Sequence, residues 1–164
     1  MLTRRTFLQT ATAAAAAHAA QPKRIAILAT VYRPLSFAQQ MGDRLLVGYP
    51  WGGAWHKPDM KVVSLYVDQK PQGDLSGERS REFGFQVYTT IAETLRCGGK
   101  QLAVDAVLLL AGQGDYASNE KGQVQYPGSD LFQQCVKVFE QDSGAVPVYN
   151  LDWTIGGLQG EDLK

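Results

Sequence analysis

Residues 103–111, AVDAVLLLA, narrow the fold more than any other stretch. The run is far too short to cross a bilayer, and after Asp105 it offers no polar side to water. A short unbroken apolar run of this kind is a strand buried on both faces. Such strands belong to parallel sheets covered by helices. Four further segments read as strands: 24–30 (RIAILAT), 61–67 (KVVSLYV, closing at Asp68), 85–88 (FQVY) and 145–150 (AVPVYN).

Helical patterns separate them. Residues 35–47 place Leu35, Ala38, Met41, Leu45 and Leu46 at helical spacing, with Pro34 suited to the first helical position. Residues 74–84 end near Gly84, a helix-terminating glycine. Residues 89–99 carry Thr90 followed by Glu93, a capping box, and close on Gly98-Gly99. Residues 129–141 are amphipathic, with Leu131, Phe132, Cys135, Val136 and Phe139 on one side. GYPWGGAWHKPDM, 48–60, has no period and reads as a loop, and 151–164 reads as an irregular tail.

Five strand–helix alternations predict an α/β fold: a doubly wound, mainly parallel five-stranded Rossmann-like sheet in three layers. Right-handed crossovers give the strand order 3-2-1-4-5. In such sheets a ligand lies beyond the carboxyl ends of the strands, where the order reverses, here between the first and fourth strands. The polar loop after the fourth strand, within LLLAGQGDYASNEKGQVQYP, belongs over that crevice. Gly112, Gly114, Asp115, Asn119 and Lys121 are therefore ligand-binding candidates, with Glu120 beside them. Asp115, Glu120 and Lys121 could polarise a carbonyl or relay a proton. Solvated loop charge is the plainer reading, and the glycines set backbone direction.

The N-terminus is an address. Arg4-Arg5 precede Phe7-Leu8, an alanine run follows, and Ala17-His18-Ala19 offers a small-residue cleavage site. This is the pattern of a twin-arginine (Tat) signal over 1–20, which predicts a Tat translocase partner and a periplasmic or secreted destination. The α/β domain then covers 21–150. The chain holds 16 basic and 16 acidic residues. Loss of Arg4 and Arg5 leaves the remainder slightly acidic, without the basic footprint that nucleic acid requires. Cys97 and Cys135 would enter an oxidising compartment, where a disulfide can form. Folding before export, in a reducing cytoplasm, favours two free thiols instead. Beyond the signal only His56 remains, so no histidine-based metal site is expected.

A dinucleotide site calls for G-x-G-x-x-G after the first strand, where glycines let the backbone approach a pyrophosphate. The corresponding turn, ATVYRPLSF, has no glycine, and Pro34 removes an amide donor. No cofactor is predicted. Arg33 could still grip a phosphate or carboxylate, or be an ordinary surface arginine. Asp68 closes the second strand, where an acid would meet a ribose hydroxyl; a strand-end turn carboxylate is the equal alternative. Tyr49, Trp51, Trp55 and His56 could stack on a sugar or base, but aromatics in insertions more often pack on their own domain.

RIAILATVYRPLSFA, VVSLYVDQ, FGFQVYTTIAETL and VDAVLLLAGQGDY resemble successive elements of the N-terminal domain of the glucose–fructose oxidoreductase/inositol dehydrogenase-like (Gfo/Idh/MocA) family, over about residues 24–150. GDY, NEKGQ and the Tat signal are similar to an exported Rossmann-like branch. The resemblance implies an NAD(P)-dependent oxidoreductase as one expectation. The family's glycine fingerprint is missing, however, and its Glu-Lys-Pro motif after the fifth strand is replaced by Tyr149-Asn150. Glu120-Lys121 matches that motif only in letters, since it follows the fourth strand. With 14 residues after Asn150, the family's second, substrate-binding domain is not expected in this sequence. The expectation favoured here is an exported domain binding a small ligand or protein partner without redox chemistry of its own. An oxidoreductase completed by another subunit, or an inactive truncated relative, is the alternative.

Overall fold

The computed structural model describes residues 21–151; the expected signal segment and all of the expected tail beyond Leu151 lie outside the described residues. The described elements are β1 (Lys23–Ala29), α1 (Phe37–Leu46), β2 (Tyr49–Trp51), β3 (Ala54–His56), β4 (Met60–Val67), α2 (Ser76–Phe83), β5 (Gln86–Tyr88), α3 (Ile91–Arg96), β6 (Ala106–Leu110), α4 (Gly128–Gln141) and β7 (Val148–Asn150).

Five strands form one sheet in the order β5-β4-β1-β6-β7, and every pairing in it is parallel. This is the doubly wound order expected from the alternation. Alternate residues of β1 and β6 feed opposite cores. Ile25, Ile27, Leu108 and Leu110 join one cluster with Ala38 and Leu46 of α1. Ala26, Leu28, Val107 and Leu109 join the other with Leu95 of α3 and Leu131, Cys135 and Val138 of α4. The uninterrupted apolar runs exist because both faces are covered.

Several local expectations are corrected. The stretch 48–60 contains a hairpin, with β2 and β3 paired antiparallel across Gly52-Gly53. Both glycines have positive φ, 57° and 80°, as a two-residue primed turn requires. Three-residue strands are too short to show a period. The two indoles do not pack down: Trp51 is 72% and Trp55 62% exposed. Helix α1 begins at Phe37, not at Pro34, because Leu35 takes φ 63° and Ser36 caps the helix by accepting from Gln39 N. On α4 the buried side is Leu131, Cys135 and Val138, while Phe132 is exposed. Gly84 and the Thr90–Glu93 box sit as expected: Gly84 is left-handed, and Thr90 Oγ1 accepts from Glu93 N at 3.2 Å. Cys97 and Cys135 are free thiols.

Candidate functional site at the carboxyl edge

The sheet order puts β1 between β4 and β6, so the loops leaving these three strands are neighbours. Backbone bonds knit them together. Thr30 N donates to Leu110 O at 3.2 Å, Gln69 N to Thr30 O at 2.8 Å and Leu75 N to Tyr32 O at 2.7 Å.

The loop after β6 reaches past β1 to the end of β4. Gln69 Nε2 donates to Asp115 O at 2.9 Å, and Asp115 N donates back to Gln69 Oε1 at 2.9 Å. A side-chain amide thus replaces the strand that would otherwise satisfy this backbone. Beside it, Asp68 accepts from two phenols, Tyr66 Oη and Tyr116 Oη, each at 2.7 Å. Burial, then the hydrogen bond to Asp68, pushes the Tyr66 hydroxyl up to about 12. The same causes raise Tyr116. Both phenols therefore stay protonated donors at neutral pH. Tyr126 meets the Tyr116 ring edge-on at 5.8 Å. Gly114 permits the close approach: at φ 133° a Cβ there would sit 2.6 Å from Tyr116 Cε2 and 3.0 Å from Gln69 Oε1.

The loop also closes the amino end of α1. Gln113 Oε1 accepts from Phe37 N at 2.6 Å. Ser36 Oγ accepts from Arg33 N at 3.2 Å and Gln39 N at 3.1 Å, and Ser36 O takes Gln40 N. These amides are the donors a pyrophosphate would use at a helix N-terminus. Under the helix, Tyr32 is completely buried. Its hydroxyl donates to Asp43 Oδ1 at 3.1 Å, and Asp43 also takes Arg79 Nε and Nη2 from α2. Burial and the neighbouring Asp43 charge hold the Tyr32 hydroxyl well above the usual phenol range.

Each candidate residue now has a place. Asp68 is at the carboxyl edge, with both oxygens occupied by tyrosines. Arg33 is exposed in the β1–α1 loop, and its guanidinium pairs with no other described residue. Gly112 leads into the loop after β6, which forms a roof over the carboxyl edge, and Gly114 threads it. Asn119 is structural: its Oδ1 accepts from Lys121 N at 3.0 Å and Gln123 N at 2.9 Å, closing a turn that Ser118 and Val124 bridge. Asp115, Glu120 and Lys121 project into solvent, their charged groups unpaired among the described residues. The sequence reading missed Tyr66, Gln69, Gln113 and Tyr116, the side chains that fasten the loop. Tyr66, two residues before Asp68, and Gln113, between two glycines, were the available signals.

An apolar opening lies elsewhere. A cavity of about 870 Å³ sits over the amino-terminal half of the sheet, among β1, β6, β7, α1 and the hairpin. Its lining is almost wholly apolar, with Arg44 the one charged residue. Among the described residues no group of three or more His, Cys, Asp or Glu is placed to hold a metal, and no helix is long and apolar enough to cross a membrane.

No family model matches the chain, and no curated protein or solved structure matches it significantly. The topology by itself defines the class: a three-layer, doubly wound, Rossmann-like α/β domain.

Proposed function

We propose that the protein is an exported Rossmann-like domain that binds a small ligand or a protein partner and carries out no redox chemistry of its own. The observation that carries this reading is the bond from Phe37 N to Gln113 Oε1. With the Ser36 cap, it gives the amino end of α1 to the protein's own side chains, in a turn that lacks glycine. A nicotinamide dinucleotide would have to displace Gln113 and pass Pro34. Asp68 would likewise have to release a tyrosine before gripping a ribose. A ligand that leaves these contacts intact binds on the outer side of the roof, through groups such as Arg33, Asp115 and Lys121. Export by the Tat translocase to the periplasm or exterior completes the reading, and rests on Arg4-Arg5 and Phe7-Leu8.

The test is a thermal-shift screen of the protein without residues 1–20 against nucleotides, sugars and organic acids. A true ligand at 100 times its Kd adds about 2.7 kcal/mol of apparent stability. A hit among sugars, acids or single nucleotides, with no shift from NAD or NADP, supports the reading. A shift from NAD or NADP replaces it with the oxidoreductase alternative. Loss of cooperative unfolding points to an inactive relative.

A further inference from the structure

The apolar cavity sits over the amino-terminal half of the sheet, away from the carboxyl edge, and is independent of any ligand bound at that edge. Its floor is sheet: Ile25 of β1 and Leu108 of β6 belong to the core on the α1 side. Met41 of α1 and Trp51 of the hairpin wall it, and Met60 and Tyr149 stand exposed beside it. The volume of about 870 Å³ falls within the range of small-molecule sites, about 300–1,000 Å³. Such sites share this make-up, a lining of apolar and aromatic side chains with very few polar groups that fix orientation.

The charge of the lining decides the class of ligand. Aromatic faces such as those of Trp51 and Tyr149 can hold a cation. No carboxylate lines this cavity, however, and its one charged residue is Arg44, which forms no ion pair among the described residues. Lys57 and Lys61 are exposed on either side of the lining residues Pro58 and Met60, against Asp59 alone. The surroundings are therefore net positive and repel a cation. A guanidinium presents its donors as a fork that fits a carboxylate. A single arginine balances a single negative charge, which suits a carboxylate better than a doubly charged phosphate.

We propose that this cavity binds a carboxylic acid with a hydrocarbon body, its carboxylate on Arg44 and its body among Met41, Leu108, Trp51 and Tyr149. Apolar burial supplies most of the affinity, and Arg44 sets the orientation and selects the charge.

The chain has three methionines, and two of them, Met41 and Met60, line the cavity. The experiment follows the methyl resonances of the full-length chain labelled with ¹³C at the methionine methyls, assigned with Met41→Leu and Met60→Leu. Decanoate is added below its micellar concentration. Saturable shifts of Met41 and Met60, with Met1 unmoved, are expected. Affinity should rise several-fold for each methylene from hexanoate to decanoate, because each buried methylene adds to the apolar term. Arg44→Gln should weaken decanoate several-fold and leave decanol unchanged, and Arg44→Lys should restore most of the loss, with circular dichroism the same in all three proteins. Unmoved Met41 and Met60 resonances overturn the proposal. Decanol binding as tightly as decanoate, or decanoate binding unaffected by Arg44→Gln, removes the carboxylate from the assignment and overturns it too.

Discussion

The Tyr116 hydroxyl donates to Asp68 Oδ2 at 2.7 Å, joining residues 48 positions apart across the carboxyl end of β1. The bond joins the loop after β6 to β4, and Tyr66 Oη completes the carboxylate's pairing on its other oxygen. Hydrogen bonds to charged groups contribute about 1.5–3 kcal/mol when shielded and less where water competes. Tyr116→Phe should therefore cost little global stability, about 1 kcal/mol. It should raise amide exchange over 112–126 selectively. Uniform exchange across the domain would show that the bond is not what fastens the loop.

The same pair sets an alkaline limit. Tyr66 has its hydroxyl raised from 10.0 to about 12 in the folded protein, and Tyr116 and Tyr32 move in the same direction. A raised folded-state value means that the unfolded chain loses these protons first. The contribution to stability is complete below pH 10, declines above it and is gone once pH passes the folded values. Urea midpoints should stay flat from neutral pH to about 10 and fall between about 10 and 12. Tyr66→Phe should shallow that fall. A midpoint that drops with the same steepness in the variant would remove Tyr66 from the account.

Beneath the site, Gly42 and Tyr32 are fitted to each other. A Cβ on Gly42 would sit 2.7 Å from Tyr32 Oη and 3.1 Å from Cε2. Gly42→Ala should cost about 1–3 kcal/mol as overpacking, despite the better helix propensity of alanine. Tyr32→Phe removes the nearest atom, so the double variant should lose less than the two single losses combined. Strict additivity in denaturant titrations would mean that the helix moves away instead.

What the sequence made legible, and what it hid, follows from physical range. The strand order was legible because RIAILAT and AVLLL have no polar face, which leaves only a sheet covered on both sides. Gly84 and Thr90–Glu93 were legible because their partners lie within one helical turn. The hairpin at Tyr49–His56 was not, since its strands are three residues long and one contains Pro50. Nor were the straps: Gln69 and Asp115 are 46 residues apart, and no local pattern encodes their reciprocal bonds. In the sequence Gly114 is a ligand-binding candidate whose plainer role is to set backbone direction. In the fold it is a close-packing position under Tyr116.

The proposed export rests on residues outside the described part of the chain. Arg4→Lys with Arg5→Lys should hold the precursor in the cytoplasm, because the paired arginines are the element that the Tat pathway reads. Fractionation followed by immunoblotting checks this. Normal export of the double variant would assign the segment to another route.

The exposed charges of the loop after β6 are separable by substitution from the side chains that shape it. Asp115 and Lys121 are exposed and unpaired among the described residues, so Asp115→Ala and Lys121→Ala should change the unliganded protein by no more than about 0.5 kcal/mol. If the ligand found by the screen rests on them, each should erase most of its thermal shift. Asn119→Ala should behave differently. It deletes the acceptor of Lys121 N and Gln123 N and loosens the turn before any ligand arrives. Amide exchange over 117–125 should rise in this variant alone. Leu109→Ala sets the opposite extreme: a fully buried strand residue whose truncation should cost about 2–5 kcal/mol. One set of melting curves, with and without the ligand, checks all four. Full ligand shifts in Asp115→Ala and Lys121→Ala would confine this loop to closing the sheet edge and move the binding site towards Arg33.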